Sequence, residues 1–272
     1  MFVLRLSFNG AFFHGWQSQP NVRTVQDELK LAFSKIFKCK KEIPFPSGCS
    51  RTDTGVHALD YISTMPEIHP IPPENLKKGL NSVLPEDVRV REVKKTNGYK
   101  DARALAAAKH YRYVIYTGDT RTPFNAPFSW HSAYGLNIEA MKSAASHFIG
   151  EHDFSAFCAT GSSVKTTKRK VYALEITPAE NYVFINITGN GFLKHMVRII
   201  SGTIVQAGRG KIDPDHIKDI ISDCDRQKAG ATLPGRGLYL EKVFSSEKSA
   251  EKAVFSREHG SFIWNWPDLC RD

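Results

Sequence analysis

The chain has 272 residues, of which 41% are hydrophobic and 24% charged, and its formal net charge is +9. This composition is that of an ordinary soluble globular protein, and the positive charge favours an anionic partner such as nucleic acid. No apolar run approaches the roughly 18 residues that a membrane span needs, and the start lacks the features of a signal peptide. The five cysteines are far apart and form no CxxC pair. This pattern predicts reduced thiols in a cytoplasmic protein and argues against a zinc knuckle or a disulfide framework.

The first hundred residues predict three strands and two helices. Residues 2–8 alternate between apolar and other side chains, which predicts a half-buried strand. Thr24 is followed three positions later by Asp27, and apolar residues recur at helical spacing along 25–36, so we expect a capped helix with one buried face. The other elements predicted here are strands at 59–65 and 88–94 and a helix at 74–82.

The most informative stretch of the sequence is GCSRTDTGVHA, at 48–58. It places Arg51, Asp53 and His57 in and after a glycine-containing loop that leads into a predicted strand. Such a loop is a usual place for a reactive side chain on a rigid support, and Gly55 allows close approach of the backbone to a ligand. The plain alternative is an ordinary turn, in which Asp53 bonds its own backbone.

The second half of the chain combines basic and aromatic residues on a predicted strand. Tyr111 and Tyr113 fall on one face of this strand, and Arg112 falls on the other. Basic residues interleaved with aromatic ones are what single-stranded nucleic acid binding uses, although tyrosines in a strand can simply pack. The other elements expected are a helix at 138–148, a polar loop at 151–163, strands at 171–177 and 182–188, a helix within 189–211, a helix after Asp213–Pro214 and a strand at 235–243.

The helix within 189–211 is strongly apolar yet carries two cations, Lys194 and Arg198. Their spacing of four places them on one flank, next to His195. Because burying an unpaired charge is costly, a carboxylate elsewhere in the chain should pair with this flank. The sequence contains no P-loop, HExxH or GxSxG pattern, and the histidines show no metal-ligand spacing.

Several motifs together resemble the TruA family of tRNA pseudouridine synthases. The loop SRTDTGVHA is similar to the family's catalytic motif, which is usually close to GRTDAGVHA. The matches run in family order along nearly the whole chain, from about residue 8 to 243. They include GWQ at 15–17, NSVLP at 81–85, ARALAAAKHYRY at 102–113, GEHDF at 150–154, GFLKHMVR at 191–198 and GLYL at 237–240.

Four positions depart from the family pattern. Thr54 stands where an alanine is usual, and Lys100, Asp101 and Ala104 replace an aromatic residue, a histidine and a phenylalanine. These departures bear on details of the substrate loops and leave the assignment of Asp53 untouched.

The resemblance implies an α+β protein with the pseudouridine-synthase fold. A central, mainly antiparallel mixed sheet would be flanked by helices, with two similar halves around a cleft. The N-terminal half, 1–100, would carry the catalytic Asp loop, and the C-terminal half, 101–245, would complete the cleft, with a tail at 246–272. The family is dimeric, so the resemblance also implies a homodimer in which one tRNA touches both subunits.

The implied activity is isomerisation of uridine to pseudouridine at positions 38–40 of the tRNA anticodon stem-loop. Asp53 would attack the nucleotide covalently or take a proton from the ribose, and Arg198 would keep it ionised and oriented. Tyr111 would stack on the flipped uracil, Arg51 would hold the RNA backbone of the flipped-out nucleotide, and Leu238 would line the base pocket.

The same resemblance implies that charge holds the RNA and that no metal or cofactor takes part. The phosphates would meet a basic surface that includes Arg103, Lys165, Lys168 and Arg169, which makes the affinity strongly salt-dependent. The reaction involves no redox step and no transfer to another molecule, so one carboxylate suffices.

Three alternatives stay open at this point. A metal-dependent nuclease or phosphodiesterase could use Asp53, His57 and His195, but it would need more clustered carboxylates. A catalytically silent RNA-binding module could share the fold, and a synthase of the same fold could act on other RNAs.

Overall fold

A computed structural model describes residues 1–38, 42–98, 101–161 and 164–255. Of the positions named above, Lys100 and the greater part of the predicted tail at 246–272 lie outside these ranges.

Within the described residues, ten strands form one mixed sheet. They are β1 (Phe2–Phe8), β2 (Ser47–Gly48), β3 (His57–Met65), β4 (Val88–Lys95), β5 (Ala108–Tyr116), β6 (Trp130–His131), β7 (Gly150–Asp153), β8 (Lys168–Ala179), β9 (Tyr182–Gly189) and β10 (Leu238–Phe244). The main path runs β4-β1-β3-β10-β5-β9-β8-β7, with β2 paired to β3 and β6 to β5. The pairs β3–β10 and β5–β6 are parallel and the others antiparallel. The α+β class and the mainly antiparallel sheet are therefore confirmed.

Helices flank this sheet, and their boundaries follow the local sequence. They are α1 (Val25–Phe37), α2 (Pro73–Val83), α3 (Ile138–Ser146), α4 (Met196–Gly208), α5 (Ile217–Asp223) and α6 (Glu247–Phe255). The side chain of Thr24 accepts a hydrogen bond from the backbone N–H of Asp27, so the predicted cap of α1 is confirmed.

The sheet face that carries Tyr111 packs against helices, and α6 packs on β5, β8 and β10, where its Ala250 is buried with Ala108 and Phe244. Tyr111 of β5 pairs with Leu240 of β10 and Ile187 of β9, and directly paired residues place their side chains on the same face. All three side chains are buried. Helix α4 packs against β5, and α2 packs against β4. The opposite face carries Arg112, whose Nε donates to Asn186 Oδ1 at 2.9 Å.

The strands from the two parts of the chain meet at the parallel pair β3–β10. Tyr239 pairs with His57 and Leu240 with Ala58, at the start of both strands. The loop that contains Asp53 leads directly into β3, so this loop lies at the middle of the sheet. The division into halves near residue 100 stays a prediction.

Two expectations about local structure are wrong. Residues 151–153 of the expected loop belong to the edge strand β7, because β8 supplies their backbone hydrogen bonds. Lys194 and Arg198 do not share a helix flank, because α4 begins only at Met196. Lys194 lies in the preceding turn, where its Nζ donates to Thr160 O at 2.9 Å.

No helix in the described ranges is both long enough and apolar enough to cross a membrane. Three cysteines in these ranges, Cys49, Cys158 and Cys224, are free thiols.

Candidate active site

The loop before β3 is held by the segment 10–16 on one side. The N–H of Gly55 donates to Phe13 O at 3.1 Å, and the N–H of Trp16 donates to Thr52 O at 3.3 Å. A Cβ on Gly15 would lie 2.2 Å from Thr52 O, and its φ of +86° is itself unfavourable for other residues. The GWQ sequence therefore allows the two backbones to touch.

A second segment, 233–237, holds the same loop from the other side. A Cβ on Gly235 would lie 2.2 Å from Thr54 O, so only glycine permits this approach. The loop does contain a turn, since the N–H of Val56 donates to Asp53 O at 3.2 Å. The alternative of an ordinary turn is thus right about the backbone of this loop. The carboxylate of Asp53, however, contacts side chains from the region of α4.

Asp53 has a different partner at each carboxylate oxygen. Arg198 Nη1 donates to Oδ2 at 2.8 Å, and His195 Nε2 lies 3.4 Å from Oδ1. The side chains of Asp53, His195 and Arg198 are 30%, 27% and 14% exposed, so the carboxylate remains open to a ligand while its arginine is largely covered. This pair joins positions 145 residues apart in the sequence.

The position of Arg198 is fixed by a second hydrogen bond. Its Nε donates to Leu233 O at 2.6 Å, and the N–H of Leu233 donates back to Arg198 O at 3.3 Å. The Nε side of the guanidinium therefore binds the backbone of the 233–237 segment, while Nη1 contacts Asp53. The role of Leu233 could not be predicted from the sequence, because a backbone carbonyl leaves no signal in the residue type.

Tyr111 lies beside this loop on the helix-covered face of the sheet. It is 6% exposed, and its hydroxyl lies 3.4 Å from Ser50 Oγ. Phe192 meets the Tyr111 ring edge-on at 5.2 Å between ring centroids. Burial is the main cause that raises the pKa of the Tyr111 hydroxyl, so this group is a neutral phenol.

Tyr61 anchors the start of this loop, at Ser50. The Tyr61 hydroxyl donates to Ser50 O, and its ring stacks on Trp16 at 4.3 Å between centroids. Trp16 and Tyr61 are fully buried. The start of the loop thus rests on a packed aromatic pair, which limits its movement.

The other predicted substrate residues lie around this centre at different depths. Leu238 is buried at the start of β10, directly opposite Tyr113, and shares the face of Tyr111. Arg51 and Arg103 are exposed. The structure therefore brings Asp53 and Arg198 into contact and places Tyr111 near Ser50, while the two arginines face solvent.

His57 serves the fold rather than the site. Its Nδ1 accepts from the N–H of Gly10 at 3.0 Å, so Nε2 carries the proton and faces the carbonyls of Pro127 and Arg236, each at 3.2 Å. The ring is 2% exposed and stacks on Tyr239. With both nitrogens used, His57 has no lone pair for a metal. The described residues contain no group of three or more potential metal ligands.

The buried His57 should make stability depend on pH. Burial lowers its pKa from the ordinary 6.5 to about 4. The unfolded chain takes up this proton at higher pH than the native chain does. The contribution of neutral His57 to the free energy of unfolding is therefore complete above about pH 6.5 and is lost as pH falls toward 4. Urea denaturation should show a loss of about 2 kcal/mol from this residue between pH 7 and pH 5.

The control for this prediction is a second histidine variant. His57→Gln should be less stable than the parent but should lose less on acidification, whereas His14→Gln, at an exposed position, should keep the parent's pH dependence. The same pH dependence in all three proteins would refute the assignment of a neutral His57.

Comparison with known proteins identifies the class to which this site belongs. Residues 144–244 match a family model described as tRNA pseudouridine synthase. The chain is 46% identical over 241 residues to tRNA pseudouridine synthase A of Thermoanaerobacter sp. strain X514, which covers 89% of this chain and 98% of that protein. It is 42% identical over 239 residues to the protein of the same name from Bacillus subtilis strain 168, covering 88% and 96%.

The chain therefore belongs to the tRNA pseudouridine synthase A family, a family of isomerases. Among solved structures, the archaeal box H/ACA sRNP Nop10–Cbf5 complex contains a chain with 13% identity and a TM-score of 0.35; the match covers 94% of this chain and 56% of that one.

Proposed function

We propose that this protein isomerises uridine to pseudouridine at positions 38–40 of the tRNA anticodon stem-loop, with Asp53 as the reacting carboxylate. The observation that carries the proposal is the 2.8 Å contact of Arg198 with Asp53 in a loop open to solvent. It is supported by relatives that are named tRNA pseudouridine synthase A and match almost their full length.

The chemistry needs little more than this carboxylate. The bond between N1 of uracil and C1′ of the ribose breaks, the base turns, and C5 bonds to C1′ while C5 loses a proton and N1 gains one. Asp53 either attacks the nucleotide or removes a ribose proton, and both roles require the ionised form. Because atoms and electrons balance within the nucleotide, neither an oxidant nor a group donor is needed.

Tyr111 and Leu238 are suited to hold the base. A uridine in a stem must be flipped out at a cost of a few kcal/mol before the carboxylate can reach it. Stacking on the Tyr111 ring recovers roughly 1–3 kcal/mol, and the neutral hydroxyl near Ser50 adds no charge. Leu238, on the same face of the sheet, supplies an apolar wall.

Cationic side chains outside the centre are suited to bind the phosphates. Arg51 and Arg103 are exposed, as are Lys165 and Lys168, and Arg169 is half-buried with Nη1 donating to Thr166 O and Lys168 O. With a net charge of +9, affinity should fall steeply with salt. Arg51, two positions from Asp53 in the sequence, would hold the flipped backbone.

We also propose that the protein acts as a cytoplasmic homodimer. An open pocket of about 280 Å³ borders β1, β3 and β10, and its aromatic lining includes Phe124, Phe128, Tyr182 and Tyr239. Phe124 is 76% exposed, and together with the aromatic lining of this pocket it offers an apolar surface suited to contact with a second chain. The free thiols described above fit a reducing compartment.

The dimer should depend on this surface. Phe124→Glu is expected to shift the mass in analytical ultracentrifugation from two chains toward one. Leu31→Glu, which changes an exposed apolar residue on α1, should leave the mass unchanged. A dimer that survives Phe124→Glu would place the interface elsewhere, and a parent protein with the mass of one chain would refute the dimer.

The position of the product tests the function. An unmodified tRNA transcript with uridines at 38–40 should acquire pseudouridine there when incubated with the protein, and chelator should not change the yield. Transcripts with cytidines at these positions are the matched control. Pseudouridine in other RNAs alone would favour a synthase with a different substrate. RNA binding without product would favour a silent module, and chelator-sensitive cleavage would favour the nuclease.

A further inference from the structure

His195 has a backbone conformation that few residues accept. It precedes α4 with φ of +60°, in the left-handed region. The surrounding hydrogen bonds hold this conformation, since the N–H of Met196 donates to Leu193 O at 3.1 Å and that of Ile199 donates to His195 O at 3.0 Å. Residues held in such conformations at the edge of a site often have a functional reason.

This conformation brings the imidazole to the reacting carboxylate. His195 Nε2 lies 3.4 Å from Asp53 Oδ1, while Arg198 occupies Oδ2. The terminal torsion of an aspartate is broad, so a contact at one oxygen leaves the carboxylate plane free to turn. Contacts at both oxygens, from residues three positions apart at one helix start, fix that plane.

The imidazole is neutral in this environment. Burial lowers the pKa of His195, as do the charges of Arg198, Lys194 and Arg226, and Asp53 acts in the opposite direction. A neutral ring 3.4 Å from Oδ1 restrains this oxygen without adding a full positive charge. Asp53 then has one charged and one neutral partner.

We propose that His195 is a positioning residue that orients Asp53 through Oδ1, an inference that rests on the proposed role of Asp53 as the reacting carboxylate. Reaction rates are sensitive to the placement of a reacting group, and a displacement of about 1 Å can cost about a hundredfold. Because His195 acts on the carboxylate and not on RNA affinity, its removal should lower kcat and leave KM nearly unchanged.

Three variants separate positioning from backbone strain. His195→Gly removes the imidazole and relieves strain, and His195→Asn also tolerates the left-handed region, but its amide is too short to reach Oδ1. His195→Gln carries an amide nitrogen about as far from the backbone as Nε2, although it is strained there. We expect about a tenfold loss of kcat for Gly and Asn, and recovery to within about threefold for Gln.

A purely structural role predicts the opposite order. Gly and Asn would then be stable and active, and Gln would have both the lowest Tm and the lowest kcat. The inference is overturned if His195→Gly turns over as fast as the parent, or if kcat follows Tm across the three variants. Pseudouridine formation by the parent, assayed in parallel, tests the proposed function itself, so failure of that function would be seen separately.

Discussion

Replacing Asp53 with asparagine should lower pseudouridine formation at least about a thousandfold while tRNA affinity stays within a few fold. The substitution keeps the size of the side chain but removes the charge. An amide can neither attack a sugar carbon nor take up a ribose proton. Affinity should persist because it comes from many dispersed cations, and the loss of a negative charge does not weaken attraction to phosphate.

Two further variants make this test decisive. Asp53→Ala should be equally inactive, which excludes activity from asparagine that has deamidated back to aspartate. Asp119→Asn makes the same charge change at an exposed position and should keep full activity. The measurements are product formation on an unmodified transcript and binding by filter retention. Turnover by Asp53→Ala above background would show that Asp53 is not the reacting carboxylate.

The elements of the fold that follow from local pattern could be predicted from the sequence. β1 shows strict alternation of buried and half-buried residues, and α1 has both its cap and its apolar face. β7 could not be predicted in this way, because an edge strand takes its stability from the neighbouring strand. The parallel pair β3–β10 joins residues about 180 positions apart, which no local pattern can reveal.

The candidate site was partly predictable for a different reason. A buried cation requires an anion, so the charge of Arg198 on an apolar helix predicted a carboxylate partner, and the contact with Asp53 is present. The contributions of Leu233 and His195 depend on a carbonyl and on one backbone angle, which residue types do not show. His57 appeared as a possible ligand because the sequence does not indicate that both its nitrogens are occupied.

Arg198→Ala should cause the second large loss of activity. The variant removes the donor at 2.8 Å from Asp53 Oδ2 and also the hydrogen bond to Leu233 O that ties α4 to the 233–237 segment. The carboxylate would then be less firmly held in its ionised, reactive orientation. We expect a decrease of about a hundredfold or more in kcat, with a smaller change in KM.

The same substitution should also lower stability, but less than the loss of a fully buried pair. Removing one partner of a fully buried ion pair costs about 3–5 kcal/mol. Because Asp53 is 30% exposed and regains water, we expect about 1–3 kcal/mol, mostly from the unsatisfied Leu233 carbonyl and the less solvated carboxylate. Calorimetry should show a decrease in Tm of about 2–8 °C.

Arg198→Lys should recover only part of the activity. An ammonium can approach Oδ2, but it cannot also present the Nε donor that reaches Leu233 O, so its position is less fixed. Lys194→Ala is the matched control, because it removes a positive charge close to the site, and among the described residues its Nζ donates a hydrogen bond to Thr160 O and not to Asp53. We expect kcat within about threefold of the parent for Lys194→Ala and an intermediate value for Arg198→Lys. If the two alanine variants have equal kcat on the same unmodified transcript, Arg198 does not orient Asp53 for the reaction.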